Sequence, residues 1–207
     1  TCIARMTTGD IEELIKAYRD RYNVLKKDSN IKVIILFKNH GQAAGTSLEH
    51  PHTQIVASPI VPPFIRRRYE IATQHYDNTG HCLYCDILKS EIDDSVRIVD
   101  EKKFFVALHP FASRYPFETW IMPKIHSSCF GNIVDIEIEE LAGMLRETLL
   151  KLYVSLNNPD YNFIIHTAPV DDERKTYYLW HIQIIPRLTL AAGFELGSGI
   201  YINTAVP

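Results

Sequence analysis

One pattern of apolar and polar positions occurs twice in this chain. Ile11, Leu14, Ile15, Tyr18, Tyr22 and Leu25 recur at helical spacing. They predict an amphipathic helix with Asp10 as its N-cap and Glu13 three residues on. Leu141, Leu145, Thr148, Leu149 and Leu152 repeat the spacing, and this second helix is expected to stop before Asn157-Asn158-Pro159-Asp160. Both helices open on the same tetrapeptide, Ile11-Glu12-Glu13-Leu14 and Ile138-Glu139-Glu140-Leu141, at an offset of 127 residues. An apolar run of strand character follows each, Val33–Phe37 and Tyr161–Ile165. A loop and a histidine-bearing strand come next, His50–Gln54 in one copy and His181–Gln183 in the other. At the same offset Asn39 aligns with His166. The shared order of helix, strand, loop and histidine separates a duplicated unit from a chance likeness between two helices.

The expected architecture is α+β, with two pseudo-repeated modules that each pack helices on an antiparallel sheet. Residues 1–63 form the first module and residues 64–207 the second. The second has a long run ahead of its helix, with strand candidates Phe104–Leu108 and Phe117–Met122. The first has only about ten residues there, so Thr1 is expected to lie within a longer protein. Pro59, Pro62 and Pro63 stiffen the connection between modules, and the charged helix-like stretch from Arg66 to Tyr76 reads as a solvated face.

Composition narrows the class. The chain has 207 residues, 46% of them hydrophobic, and a net charge of −3. Those values suit a globular enzyme. No basic excess supports binding to a nucleic-acid polymer, and no apolar run reaches membrane-spanning length. Four cysteines, two of them in Cys82-Leu83-Tyr84-Cys85, do not form a secreted disulfide framework. A reducing cytoplasm is the expected setting.

Candidate chemistry gathers around His50-Pro51-His52-Thr53-Gln54, reached through the small-residue loop Ala43-Ala44-Gly45-Thr46-Ser47. In an extended segment His50, His52 and Gln54 share a face. A neutral imidazole is nucleophilic near pH 7. One ring nitrogen can attack phosphorus while the other donates to a backbone carbonyl two residues back, which fixes the tautomer. The small loop lets backbone N–H groups approach anionic oxygens. Gln54 can donate to a phosphoryl oxygen without delivering a proton, and a phosphate leaving group needs none.

These residues carry a resemblance. Asn39, Gly41, Gly45, Ser47, His50-Pro51-His52 and Gln54 resemble the active-site signature of the galactose-1-phosphate uridylyltransferases, the transferase branch of the histidine-triad superfamily. The tail from Gly193 to Asn203 resembles a late motif of the same family. The resemblance implies that His52 is the nucleophile that carries UMP and that Gln54 holds the uridylylated intermediate. It places Asn39, Gly45 and Ser47 along the nucleotide phosphates, and Phe194 and Glu195 at the hexose. It also implies a homodimer that shares its active sites. Relatives with similar tails transfer adenylyl groups, so the base stays open.

Cys82 and Cys85 have the spacing with which two thiolates grip one tetrahedral ion. A redox pair and two plain core cysteines are the alternatives. His126 and His181 are the candidates for the remaining ligands of a closed, structural Zn2+ site. By the resemblance, His181 takes the place that His50 holds in the first copy, where the family uses the histidine as a zinc ligand.

The expected activity is exchange of UMP between UDP-glucose and a hexose 1-phosphate, through a covalent uridylyl-histidine, in galactose metabolism. UDP-hexose and hexose 1-phosphate are the expected partners. A related adenylyltransferase or nucleotide-sugar phosphorylase is the first alternative. A non-catalytic, zinc-stabilised nucleotide-binding module is the second.

Overall fold

The computed structural model describes residues 2–46, 52–189 and 192–202. Its strands are β1 (Val33–His40), β2 (Thr53–Ser58), β3 (Ile98–Glu101), β4 (Phe105–Leu108), β5 (Thr119–Pro123), β6 (Tyr161–His166) and β7 (His181–Pro186). Its helices are α1 (Thr8–Leu25), α2 (Pro63–Thr79), α3 (Leu83–Asp94), α4 (Asp135–Ser155) and α5 (Gly193–Ser198). Among the described residues the strands form one antiparallel sheet in the order β2-β1-β6-β7-β5-β4-β3. The α+β expectation holds, and the sheet runs unbroken through both copies.

The two copies meet at β1 and β6, where Phe37 pairs with Ile164. The offset of 127 carries Phe37 onto Ile164. Because the pair is antiparallel and self-equivalent, a pseudo-twofold axis passes through it. Gln54 then faces Phe37 on one side, as Gln183 faces Ile164 on the other. Gln54, Phe37, Ile164, Gln183 and Trp120 thus form a single row across one face of the sheet.

Side-chain alternation sends the neighbouring row, Ile55, Leu36, Ile165, Ile182 and Ile121, to the opposite face. There α1 and α4 cover it with Ile11, Ile15, Leu141 and Leu145, and this layer is the main core. Helices α2 and α3 lie over the other face, where Ala72, Tyr84 and Leu88 pack with Val106, Leu108 and Met122.

Local details depart from the sequence reading. Thr7, not Asp10, caps α1. Its hydroxyl accepts from the Asp10 N–H, and the Asp10 carboxylate accepts from the Thr7 N–H at 3.3 Å, a reciprocal box that pins the first turn. The proline-flanked charged stretch forms a full helix, α2, with Pro63 in its first turn. Its Arg68 reaches inward to the sheet rather than into solvent.

No helix among the described residues is long and apolar enough to cross a membrane.

Candidate active site and metal centre

The site grows from the end of β1. Beyond His40 the chain turns through Gly41, a short 3-10 turn at Gln42–Ala44, and Gly45. Both glycines sit at a φ of +85°, where an L side chain is strained. At Gly41 a Cβ would also fall 1.7 Å from the Asp160 carboxylate oxygen Oδ1. That carboxylate is close because its other oxygen accepts the Ala43 N–H at 2.6 Å. Among the described residues nothing lies within 4 Å of the position a Gly45 Cβ would take.

The second copy braces this loop. Asn162 on β6 donates from Nδ2 to Asn39 Oδ1 at 2.8 Å and to the Ala44 carbonyl at 2.9 Å. Arg187 Nε donates to Asn162 Oδ1 and fixes which way the amide points. Asn39 is therefore oriented, beside the turn, by residues far along the chain. No local pattern in the chain points to Asp160, Asn162 or Arg187.

His52 precedes β2 and Gln54 lies within it. The Gln54 amide nitrogen Nε2 stands 3.4 Å from His52 Nε2 and donates to it. The group expected to hold a phosphoryl oxygen thus points at the nitrogen expected to attack phosphorus. Ser47 and His50 lie outside the described residues, so their expected roles are not placed. A cavity of about 630 Å3, lined by Arg5, Asp10, Tyr18, Lys38 and Thr53 among others, lies on the α1 face of the sheet. Thr53 and Lys38 alternate with Gln54 and Phe37, so this cavity is behind the strand from His52 and separate from it.

Phe194 and Glu195 are not brought to His52 among the described contacts. Phe194 is exposed on α5, and the Glu195 carboxylate accepts the Ala192 N–H at 3.0 Å to cap that short helix. The tail beyond folds back on the second copy, where Tyr201 meets Tyr115 with ring centres 5.5 Å apart.

The counterpart position in the second copy is filled. His181 faces His166 across β6 and β7, as the register of the first hairpin carries Asn39 onto His52. By register, then, His181 corresponds to His52, Gln183 to Gln54, and Leu179 to His50. This corrects the equivalence of His181 with His50. His181 donates from Nδ1 to the Leu179 carbonyl at 3.1 Å, the ring orientation expected of a nucleophilic histidine. Yet it is fully buried, stacked on Trp120 at 4.8 Å and close to Tyr84 at 5.0 Å. Burial first, with the Arg68 charge adding, pushes it down to about 3.

A polar network surrounds it. His166 donates from Nε2 to Gln183 Oε1 at 2.7 Å and accepts at Nδ1 from Arg68 at 3.0 Å. Gln183 Nε2 donates to Glu118 Oε1 at 2.6 Å, which also accepts from the Trp120 indole at 2.8 Å. Desolvation, then the neighbouring His181 and Arg68, holds His166 well below the ordinary histidine range.

Cys82, Cys85 and His126 form the metal candidate. One ligand atom of each lies within 4.8 Å of the others. Cys85 Sγ is 3.3 Å from His126 Nδ1. His126 Nε2 donates to the Lys175 carbonyl at 3.3 Å, which leaves the Nδ1 lone pair for an ion. Hydrogen bonds from the Cys85 thiol and from His126 pull Cys82 down to about 5, against the opposing effect of burial. Two soft sulfurs and one imidazole nitrogen suit zinc. His181 lies outside this group of three; its Nδ1 donates to Leu179, and its buried Nε2 has no hydrogen-bond partner, which leaves that lone pair for an ion.

The site thus stands on an antiparallel α+β sheet duplicated about one strand pair, with a histidine and a glutamine beyond a glycine turn. Residues 1–62 match the N-terminal domain of galactose-1-phosphate uridyl transferase, and residues 65–194 match its C-terminal domain. The chain belongs to that family.

An ADP-glucose phosphorylase from Arabidopsis thaliana is 39% identical over 199 residues, covering 95% of this chain and 55% of that protein. A galactose-1-phosphate uridylyltransferase from Thermotoga maritima is 31% identical over 216 residues, covering 100% of this chain and 67% of that protein. The crystal structure of an ADP-glucose phosphorylase from Arabidopsis thaliana with bound ADP-glucose superposes with a TM-score of 0.92 at 36% identity, covering 100% of this chain and 66% of that one. The chain thus spans little more than half the length of its Arabidopsis relative.

Proposed function

We propose that this protein transfers a nucleoside monophosphate from a nucleoside diphosphate hexose through a covalent intermediate on His52. The observation that carries this reading is the Gln54 amide directed at His52 Nε2. In the first step Nε2 attacks the α-phosphorus. A phosphorus–nitrogen bond forms, the bridging phosphorus–oxygen bond breaks, and hexose 1-phosphate departs. The Gln54 N–H, released from the ring nitrogen, donates to a phosphoryl oxygen of the adduct. In the second step an acceptor phosphate oxygen attacks the same phosphorus, and the imidazole leaves. Asn39 and the backbone at Gly45 supply donors beside the phosphates.

The 39% identity to an ADP-glucose phosphorylase favours an adenylyl group and inorganic phosphate as acceptor. The uridylyl reading, with UDP-glucose and galactose 1-phosphate, rests on the family and on the Thermotoga relative. A panel of ADP-, UDP- and GDP-glucose, each with phosphate or a hexose 1-phosphate, separates them. ADP release from ADP-glucose and phosphate supports the first. UDP-galactose formed from UDP-glucose and galactose 1-phosphate establishes the second. Turnover of neither pair contradicts both.

Cys82, Cys85 and His126 are the residues that would hold zinc, with the unpartnered Nε2 of His181 as the fourth ligand. When bound, the ion joins the start of α3 to the segment after β5 and so stabilises the second copy. The expected homodimer, with Phe194 and Glu195 reaching a partner's sugar site, belongs to this proposal. Exposure of Phe194 on α5 supports it.

A further inference from the structure

We propose that Arg187 is a positioning residue for the reaction at His52: through Asn162 it fixes which end of the Asn39 amide faces the phosphates. The inference rests on the proposed role of Asn39 as a donor beside the transferred phosphoryl group. It supplies the reason for that amide to present its nitrogen rather than its oxygen.

A side-chain amide has one donating end and one accepting end, and a guanidinium only donates. Arg187 Nε donates to Asn162 Oδ1, so the oxygen of Asn162 faces the cation. The Nδ2 end then meets two acceptors, Asn39 Oδ1 at 2.8 Å and the Ala44 carbonyl at 2.9 Å. Reversed, Asn162 would set N–H against N–H at Arg187 and oxygen against oxygen at Ala44. Asn39 accepts through Oδ1, which leaves its Nδ2 to donate to a ligand. Asn39 is half-buried and stands opposite His52 in the register of the first hairpin. Side chains so paired have Cβ atoms about 4.5–5.5 Å apart. A phosphoryl group carried by His52 therefore comes beside the Asn39 amide.

Arg187 is itself held in place. Its backbone N–H donates to the Asp160 carbonyl at 2.7 Å, just beyond the pairing of Pro186 with Tyr161. Its guanidinium lies over the Tyr115 ring at 5.5 Å, and Tyr115 meets Tyr201 of the tail. A charged donor makes a stronger hydrogen bond than a neutral one, so it decides the direction of both amides. Arg187 follows β7, whereas His52 precedes β2, with β6 and β1 between them. Arg187 thus acts through the two amides and not on the phosphoryl group.

Neutron diffraction from deuterium-exchanged crystals of the unliganded protein reads the amide directions without any reaction. Deuterons on Asn162 Nδ2 that point at Asn39 Oδ1 and at Ala44 support the relay, and reversal of either amide overturns it. If the parent protein forms no nucleotide adduct, the functional reading falls and this diffraction result alone judges the relay. The rate of adduct formation on His52 reads the consequence. Arg187→Met should slow it roughly tenfold, short of the roughly 10²-fold expected when a direct donor is deleted. Arg187→Lys, which still donates, should recover most of that rate. In an Asn39→Ala background Arg187→Met should cause no further loss, because the amide it directs is gone. Losses that multiply in full would overturn the proposal. Should Arg187→Met fail to fold, Asn162→Asp takes its place, since it keeps the shape and the Arg187 contact but has no donor for Asn39. It should slow adduct formation, and an unchanged rate would overturn the proposal.

Discussion

His181 donates its Nδ1 proton to the carbonyl oxygen of Leu179, two residues back. The same kind of contact was expected to aim a nucleophilic histidine, but here Trp120 and Tyr84 fill the space around the ring. The second copy keeps the orientation and has lost the access. On the proposed function the first copy carries the chemistry, and the second braces its loop through Asp160 and Asn162. His181→Phe should therefore leave formation of any nucleotide adduct unchanged, as measured by the rate of adduct appearance in intact-protein mass spectra.

Burial of His166 and His181 makes stability depend on pH. Both are lowered in the fold, His181 from 6.5 to about 3. Below pH about 6.5 the unfolded chain takes up protons that the folded chain refuses, so stability falls as pH drops from there toward 3. The loss is on the order of a few kcal/mol across the window. Urea midpoints measured between pH 7.5 and 4.5 should decline for the parent protein. His181→Phe should flatten part of that decline, and an equally steep decline would place the acid sensitivity elsewhere.

The turn after β1 distinguishes two glycines with the same φ. Gly45→Ala meets no atom within 4 Å among the described residues and should cost the left-handed strain, about 1–2 kcal/mol. Gly41→Ala adds a collision with the Asp160 carboxylate and should cost more, with loss of the Ala43 hydrogen bond. Thermal unfolding of the two variants checks the ranking.

Removing metal should lower stability more than it alters the chemical step. With free zinc about 100-fold above its dissociation constant, linkage contributes about 2.7 kcal/mol. A chelator or Cys85→Ser should then reduce the melting temperature by several degrees. A melting temperature indifferent to chelation would remove zinc from the account.

Much of this was legible in the chain. The period of Ile11–Leu25 and of Leu141–Leu152, and the shared Ile-Glu-Glu-Leu opening, gave the helices and their duplication. Cys82 and Cys85 were legible because their spacing is local to the start of one helix, and His126 joined them as expected. The equivalence of His181 with His50 was off by two residues because strand register sets it. A shift of two residues along β7 exchanges Leu179 and His181, and composition does not reveal which lies opposite His166. Arg68 looked solvated because two flanking arginines made its helix look charged all round. Its inward direction depends on how α2 lies on the sheet. Asp160 and Asn162 act on a loop more than a hundred positions earlier, and no local pattern encodes such a contact.

The central claim is that His52 forms the bond to phosphorus. The direct measurement is peptide mapping after incubation of the protein with ADP-glucose or UDP-glucose. One nucleoside monophosphate should appear on the peptide containing His52, labile to acid and stable to alkali, as a phosphorus–nitrogen bond requires. His52→Ala should abolish it, and Gln54→Ala should slow it roughly 10²-fold without eliminating it, because the amide stabilises charge rather than forming the bond. An adduct on another residue, or turnover of either sugar nucleotide by His52→Ala, would contradict the account.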